Sequence, residues 1–171
     1  MTTEKYLIFS DLHGMRERAR ELFRRHADAD GIFFLGDGLN DLPDARVPIV
    51  SVRGNCDGFS FGIKEPKECL LDLGGKKLLL MHGDSHAVKS GLDRALRYAS
   101  ERGADALLFG HTHLPIENYY PEGTELTGGY SLPRPIIAFN PGSLGYPPDG
   151  RPSYGLLQIR GGQMLFSHGT L

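Results

Sequence analysis

Five short runs in this chain of 171 residues carry oxygen and imidazole ligands: Asp11-Leu12-His13, Gly36-Asp37, Gly54-Asn55-Cys56-Asp57, His82-Gly83-Asp84 and Gly110-His111-Thr112-His113. Each follows a hydrophobic run. Carboxylates, an amide and imidazoles suit hard or borderline divalent ions such as manganese, iron, zinc, nickel or cobalt, and no thiolate need be invoked. The seven side chains Asp11, His13, Asp37, Asn55, His82, His111 and His113 are more than one four-coordinate ion takes up. The surplus points to two ions, and two-metal sites act mostly on phosphate esters or peptides.

Spacing supports the same chemistry. Alternate residues of an extended segment face the same way, so Asp11-x-His13 and His111-x-His113 can each aim two ligands to one side. Asp37 lies between these pairs in the chain, and a carboxylate can bridge two ions through its two oxygens. Asn55 offers a neutral amide oxygen. Gly83 lets the backbone after His82 approach closely. A single Asp or Gly-Asn after a strand is an ordinary turn former. Five such clusters, each with ligand chemistry, are not explained as turns.

These side chains need a scaffold that gathers strand ends. Tyr6 to Phe9, Ile32 to Leu35 and Val47 to Val52 are short apolar runs that read as buried strands. Met15, Ala19, Leu22, Phe23 and His26 share one helical face. Cys69 to Leu73, Gly74-Gly75 and Lys76 to Met81 read as a hairpin. Ser90 and Asp93 resemble a capping box ahead of a helix lined by Leu92, Ala95, Leu96 and Ala99. Ala106 to Phe109 is another strand. Ile116 to Tyr120, Pro135 to Phe139, Tyr154 to Ile159 and Met164 to Ser167 read as β meanders, and Pro121 to Pro133, rich in Gly, Pro and Thr, reads as a mobile surface loop. The pattern is α/β, and ligand sites in open α/β sheets gather beyond the carboxyl ends of strands.

Length fits one domain over residues 1–171, with no repeat or linker. A net charge of -2 gives no sign of nucleic-acid binding. Two cysteines make no disulfide framework, Met1 to Tyr6 lacks a signal-peptide pattern, and no apolar run is long enough for a membrane span. A cytoplasmic protein is expected. Exposed strand edges late in the chain offer pairing between copies, so a homo-oligomer is an open expectation.

Taken in order, the motifs resemble those of the calcineurin-like metallophosphoesterases: D-x-H, G-D, G-N-H-[DE], H and G-H-x-H, here Asp11/His13, Gly36/Asp37, Gly54/Asn55, His82 and Gly110/His111/His113. Arg53-Gly54-Asn55-Cys56-Asp57, Gly110-His111-Thr112-His113-Leu114-Pro115 and Asn140-Pro141-Gly142-Ser143 are similar to the small bacterial YfcE-like phosphodiesterase branch. The resemblance implies a four-layer α/β/β/α sandwich of two packed mixed β-sheets flanked by helices. It also implies two divalent ions, with manganese foremost. Asp11, His13, Asp37 and His113 would hold one ion, and Asp37, Asn55, His82 and His111 the other. The implied activity is that of a phosphodiesterase on a small-molecule phosphoester, by attack of a metal-bridging hydroxide, with Asp37, Asn55 and His82 as the catalytic set. The alternative is an inactive scaffold of the same fold, and the complete ligand set argues against decay.

The chain departs from the broader pattern at Cys56, where a histidine is usual, and at Asp84, where a second histidine is usual. Asp84 or His86 is a candidate to replace that histidine's substrate contact. Cys56 reads either as a side chain sensing the metals or as a small one packed beneath them. Asp41 is a candidate to orient a ligand histidine. Asn140 to Ser143 reads as a turn bordering the site. Arg16 could reach phosphate or simply be solvated. Cys69 reads as a core side chain, His26 as packed or half exposed, and His168 receives no role.

Overall fold

Alternate residues of a strand face opposite ways, and in the central strands of this chain both faces are apolar, so each strand needs cover on both sides. The computed structural model describes residues 3–59 and 63–171; Met1 and Thr2, on which the reading of the N-terminus partly rests, lie outside them. β1 (Glu4–Phe9), β2 (Gly31–Phe34) and β3 (Ile49–Ser51) run parallel, and α1 (Arg16–Arg25) connects the first two. The expected hairpin forms β4 (Glu68–Leu73) and β5 (Lys76–Met81), turning through Gly74 and Gly75. Then come α2 (Asp93–Glu101), β6 (Ala106–Leu108), β7 (Pro115–Tyr120), β8 (Glu125–Leu126), β9 (Tyr130–Ser131), β10 (Ile136–Pro141), β11 (Ser153–Arg160) and β12 (Gln163–Thr170).

Two five-stranded mixed sheets result, ordered β12-β11-β1-β2-β3 and β4-β5-β6-β10-β7. The side-chain alternation sorts the core into three layers. Ile8, Phe33, Leu78, Leu80, Leu108 and Phe139 meet between the sheets. Leu7, Phe9, Ile32 and Phe34 face outward onto Ala19 and Leu22 of α1. Leu79, Met81, Leu107 and Ala138 face outward onto Ala95, Leu96 and Ala99 of α2. This is the α/β/β/α sandwich. No described helix is long and apolar enough to cross a membrane.

Two local expectations change. The stretch Pro121 to Pro133 is not a structureless loop. β8 and β9 pair across the Gly128-Gly129 turn, and Leu126 and Leu132 are buried against the α2 layer. Composition suggested a loop, but Leu126, Tyr130 and Leu132 supply anchors that composition does not weigh. The capping box at Ser90 is absent: Ser90 sits in a short 3-10 turn, and Asp93 instead accepts the Thr127 N–H at 2.7 Å. The C-terminal strands divide between the sheets: β7 and β10 pair in the second, whereas β11 and β12 form a hairpin in the first.

Candidate metal centre

The loops after β1, β2 and β3 of one sheet meet those after β5 and β6 of the other at a common rim. Their backbones are unusual. Among the described residues, six non-glycines have left-handed φ, and five of them are Asp11 (54°), His13 (43°), Asp37 (62°), His111 (66°) and His113 (62°). Such a conformation is costly for a side chain with a Cβ and persists only where the surroundings enforce it. Glycine is required where these loops touch. A Cβ on Gly54 would lie 2.1 Å from Asp37 Oδ1, and one on Gly110 would lie 2.0 Å from Ser10 Oγ.

Asp57 and Asn140 tie the loops together. The buried Asp57 carboxylate accepts four backbone N–H groups, from Asp37 and Gly54 at 2.8 Å and from Gly38 and Leu39 at 2.8 and 2.9 Å. Asn140 donates to the Gly110 carbonyl at 2.9 Å and to Thr112 Oγ1 at 3.1 Å. Ser143 Oγ donates to the Asp11 carbonyl at 3.0 Å. Asn140 and Pro141 therefore belong to β10, with the turn beginning at Gly142. Sequence reasoning gave Asp57 no role, although its place within Gly54-Asn55-Cys56-Asp57 was the available signal.

Three trios of ligand atoms each lie within 4.8 Å of one another: Asp11, His13 and His113; Asp37, His82 and His111; and, linking these two, His13, Asp37 and Cys56. Asp37 also reaches the first trio, with Oδ2 3.8 Å from His13 Nε2 and 3.3 Å from His82 Nε2. Asn55 is exposed beside them, its amide nitrogen 3.3 Å from Cys56 Sγ. The two imidazoles bound to main-chain carbonyls settle what the donor set can do. His82 Nδ1 is 2.7 Å from the Leu35 carbonyl, and His113 Nδ1 is 2.8 Å from the Tyr146 carbonyl. A carbonyl only accepts, so both Nδ1 atoms carry hydrogen, and a neutral ring then presents a lone pair at Nε2. His113 Nε2 faces Asp11 Oδ1 at 3.1 Å, and His82 Nε2 lies 3.2 Å from His111 Nδ1. Lone pairs facing one another at these distances repel unless a cation or a proton stands between them. The buried atoms Asp11 Oδ1 and His13 Nε2 have no hydrogen-bond partner. Orphaned buried acceptors converging in this way fit divalent cations, held by rings whose other nitrogen is fixed by the protein.

Electrostatics point the same way. Burial works against the Asp11 charge, but the nearby rings of His113 and His13 and the field of His82 hold its carboxyl well below the usual carboxylate range. Burial opposes Asp37 as well, and the bond with His82 keeps it low. Burial disfavours charge on His82, yet Asp37 and Asp11 raise it; Asp11 likewise raises His113. His111 is lowered by burial and by its neighbour His82. Two ionised carboxylates thus stay in the bed, drawing positive charge toward the rings.

Other candidates settle elsewhere. Asp41 accepts the Gly14 N–H at 2.9 Å, so it braces the chain after His13 and does not orient a histidine ring. His86 packs on Tyr98 of α2 with ring centroids 4.4 Å apart. Cys56 is exposed rather than packed beneath the site, and its N–H donates to Asp37 Oδ1 at 2.8 Å. His168 bonds the Asn140 carbonyl at 2.8 Å and stacks on Phe139. Arg16 is the first residue of α1.

Residues 5–162 match the calcineurin-like phosphoesterase superfamily domain. The chain is 36% identical to the probable metallophosphoesterase YsnB of Bacillus subtilis, across 82% of this chain and 75% of that protein. It is 31% identical to the phosphodiesterase YfcE of Escherichia coli, across 90% of this chain and 86% of that one. The solved structure of Vps29 from Chaetomium thermophilum superposes with a TM-score of 0.68 at 16% identity, over 98% of this chain and 95% of that chain, a likeness of fold alone.

Proposed function

Because the chain belongs to the calcineurin-like phosphoesterase superfamily, we propose that it hydrolyses phosphodiesters at a centre of two divalent ions. The observation that carries this reading is the pair of carbonyl-fixed rings, His82 and His113, whose Nε2 atoms face Asp37 and Asp11. Asp11, His13 and His113 would hold one ion, Asp37, His82 and His111 the other, with Asn55 completing the second set and Asp37 shared. Such ions supply Lewis acidity, acidifying water and neutralising charge on the phosphoryl oxygens. The residues do the rest. The Leu35 and Tyr146 carbonyls hold the two rings in one orientation, and the Cys56 N–H holds Asp37 Oδ1, leaving Oδ2 toward His82 and His13. Manganese is the proposed ion and a small-molecule diester the substrate. YfcE, a phosphodiesterase by name, supports the diester reading.

The test is chelation followed by manganese reconstitution, with bis(p-nitrophenyl) phosphate and p-nitrophenyl phosphate as paired substrates. Activity is expected to vanish on stripping, to return with manganese, and to favour the diester. Asp37→Asn, lacking the second anionic oxygen, is expected to lower turnover by at least about 100-fold, beyond the 10–100-fold usual for an outer partner of a ligand, with an unchanged circular dichroism spectrum. A folded, manganese-loaded wild type that turned over neither ester would transfer this centre to the scaffold reading.

A further inference from the structure

We propose that Tyr146 is a stacking platform, and that the substrate is a phosphodiester bearing a nucleobase, whose ring lies on Tyr146 while its phosphate meets the metal-binding trios. The proposal rests on the phosphodiesterase reading and adds the class of group attached to phosphorus.

The Tyr146 side chain is 57% exposed, yet its backbone is tightly held. Its N–H donates to Ser143 Oγ at 2.8 Å, and that hydroxyl donates to the Asp11 carbonyl at 3.0 Å. The Leu144 and Gly145 amides bond the carbonyls of Ser10 and Asp11 at 3.1 and 2.8 Å. Arg18 reaches from α1 to clasp the Leu144 and Gly145 carbonyls at 2.9 and 2.7 Å. An exposed aromatic on a loose loop is commonplace. Here the backbone is fastened to the same residues that carry Asp11, so the ring is presented to solvent from a rigid bed.

Its position is specific as well. The Tyr146 carbonyl holds His113 Nδ1 at 2.8 Å, and the Tyr146 ring meets the His13 ring edge-on, with centroids 5.6 Å apart at 68°. His13 and His113 are themselves 5.3 Å apart. One tyrosine therefore touches two of the three members of the Asp11 trio. Leu114, which follows His113, is 52% exposed. Five large hydrophobics are markedly exposed among the described residues, and two of them, Tyr146 and Leu114, flank this single ligand. The site thus offers anion-binding chemistry with an apolar, aromatic shoulder on the His113 side. A tyrosine has few rotamers to lose on binding and a π-face that accepts any base.

The test uses the manganese-loaded full chain and two ligands that differ only in the base, adenosine 5′-monophosphate and ribose 5-phosphate, titrated calorimetrically into wild type, Tyr146→Ala and Tyr146→Phe. Wild type is expected to prefer the adenosine ligand by about 5- to 150-fold, the range that base stacking gives on alanine substitution. Within Tyr146→Ala the ratio of the two affinities is expected to collapse toward equality, whatever happens to phosphate binding itself, and Tyr146→Phe is expected to retain the preference. Equal wild-type affinities, or a preference that survives in Tyr146→Ala, would overturn the platform. Hydrolysis of bis(p-nitrophenyl) phosphate, measured in parallel, reports on the phosphodiesterase reading separately, because the binding ratio does not depend on turnover.

Discussion

Cys56 occupies the place where the broader family carries a histidine, and it stands exposed beside Asp37. Desolvation of the thiol, its hydrogen bond to Asp37 and the charges of Asp37, Asp57 and Asp11 push its pKa up to about 11. In the metal-free site it therefore remains a thiol near neutral pH, and a thiol, or a thiolate beside bound cations, is a poor proton donor there. An activated diester leaves as a stable anion and needs little protonation; a monoester with an alkoxide leaving group needs more. Cys56→His should raise the ratio of monoester to diester kcat/KM. Full general-acid catalysis is worth about 10²–10⁴-fold, and a side chain placed without supporting contacts should recover about tenfold. The comparison is made at matched metal occupancy, and an unchanged ratio would assign substrate class to the pocket walls. The identity of this position was legible in the sequence. Its exposure was not, because exposure depends on how the loops after β2 and β3 face each other.

At the scale of elements, a buried carboxylate joins two loops that hold metal-binding candidates. Asp57 takes N–H groups from the Asp37 loop and from Gly54, so one side chain sets the spacing between the ends of β2 and β3. Asp57→Ala strands four donors, two of them in the tightest part of the rim, where Gly54 and Asp37 leave no room for a Cβ. Each buried unsatisfied group costs about 1–3 kcal/mol, and water can re-satisfy some of them, so a loss of about 3–5 kcal/mol is expected from urea unfolding. Asp57→Asn keeps one carbonyl oxygen and should lose about half as much. An alanine variant within about 0.5 kcal/mol of wild type, the range of an ordinary surface substitution, would show that Asp57 is not the brace. The β8–β9 hairpin carries a parallel lesson. Leu126 and Leu132 are anchors only because α2 lies beneath them, and a window of Gly, Pro and Thr contains no trace of that helix.

For the whole molecule, metal binding and folding are expected to be coupled. Five left-handed ligand-bearing residues and two buried, ionised carboxylates are gathered from both sheets, and an unfolded chain has no reason to assemble them. Ions that bind only the folded state stabilise it by about 2.7 kcal/mol per site at one hundred times the dissociation constant. For a domain of this size, each kcal/mol moves Tm by about 2–4 °C. Saturating manganese should therefore raise Tm by about 5–10 °C per site, and metal analysis should return two ions per chain. One ion at saturation, or an unmoved Tm, would exclude the shared-carboxylate arrangement.

What the sequence determined by itself is chemical and periodic. Ligand types, their place after hydrophobic runs and the continuous apolar runs of the parallel strands read as an α/β protein with its site at the strand ends, each a local property of the chain, while the sandwich came from the family resemblance of the motifs. Only the tertiary structure decided how Nδ1 of His82 and His113 is committed, because the Leu35 and Tyr146 carbonyls lie far away in the chain. It alone placed Asp57 under two loops, buried the Leu126 hairpin and left Tyr146 exposed beside His13. Those outcomes follow from contacts between distant segments, whose distances are set by how two sheets pack and not by any spacing along the chain.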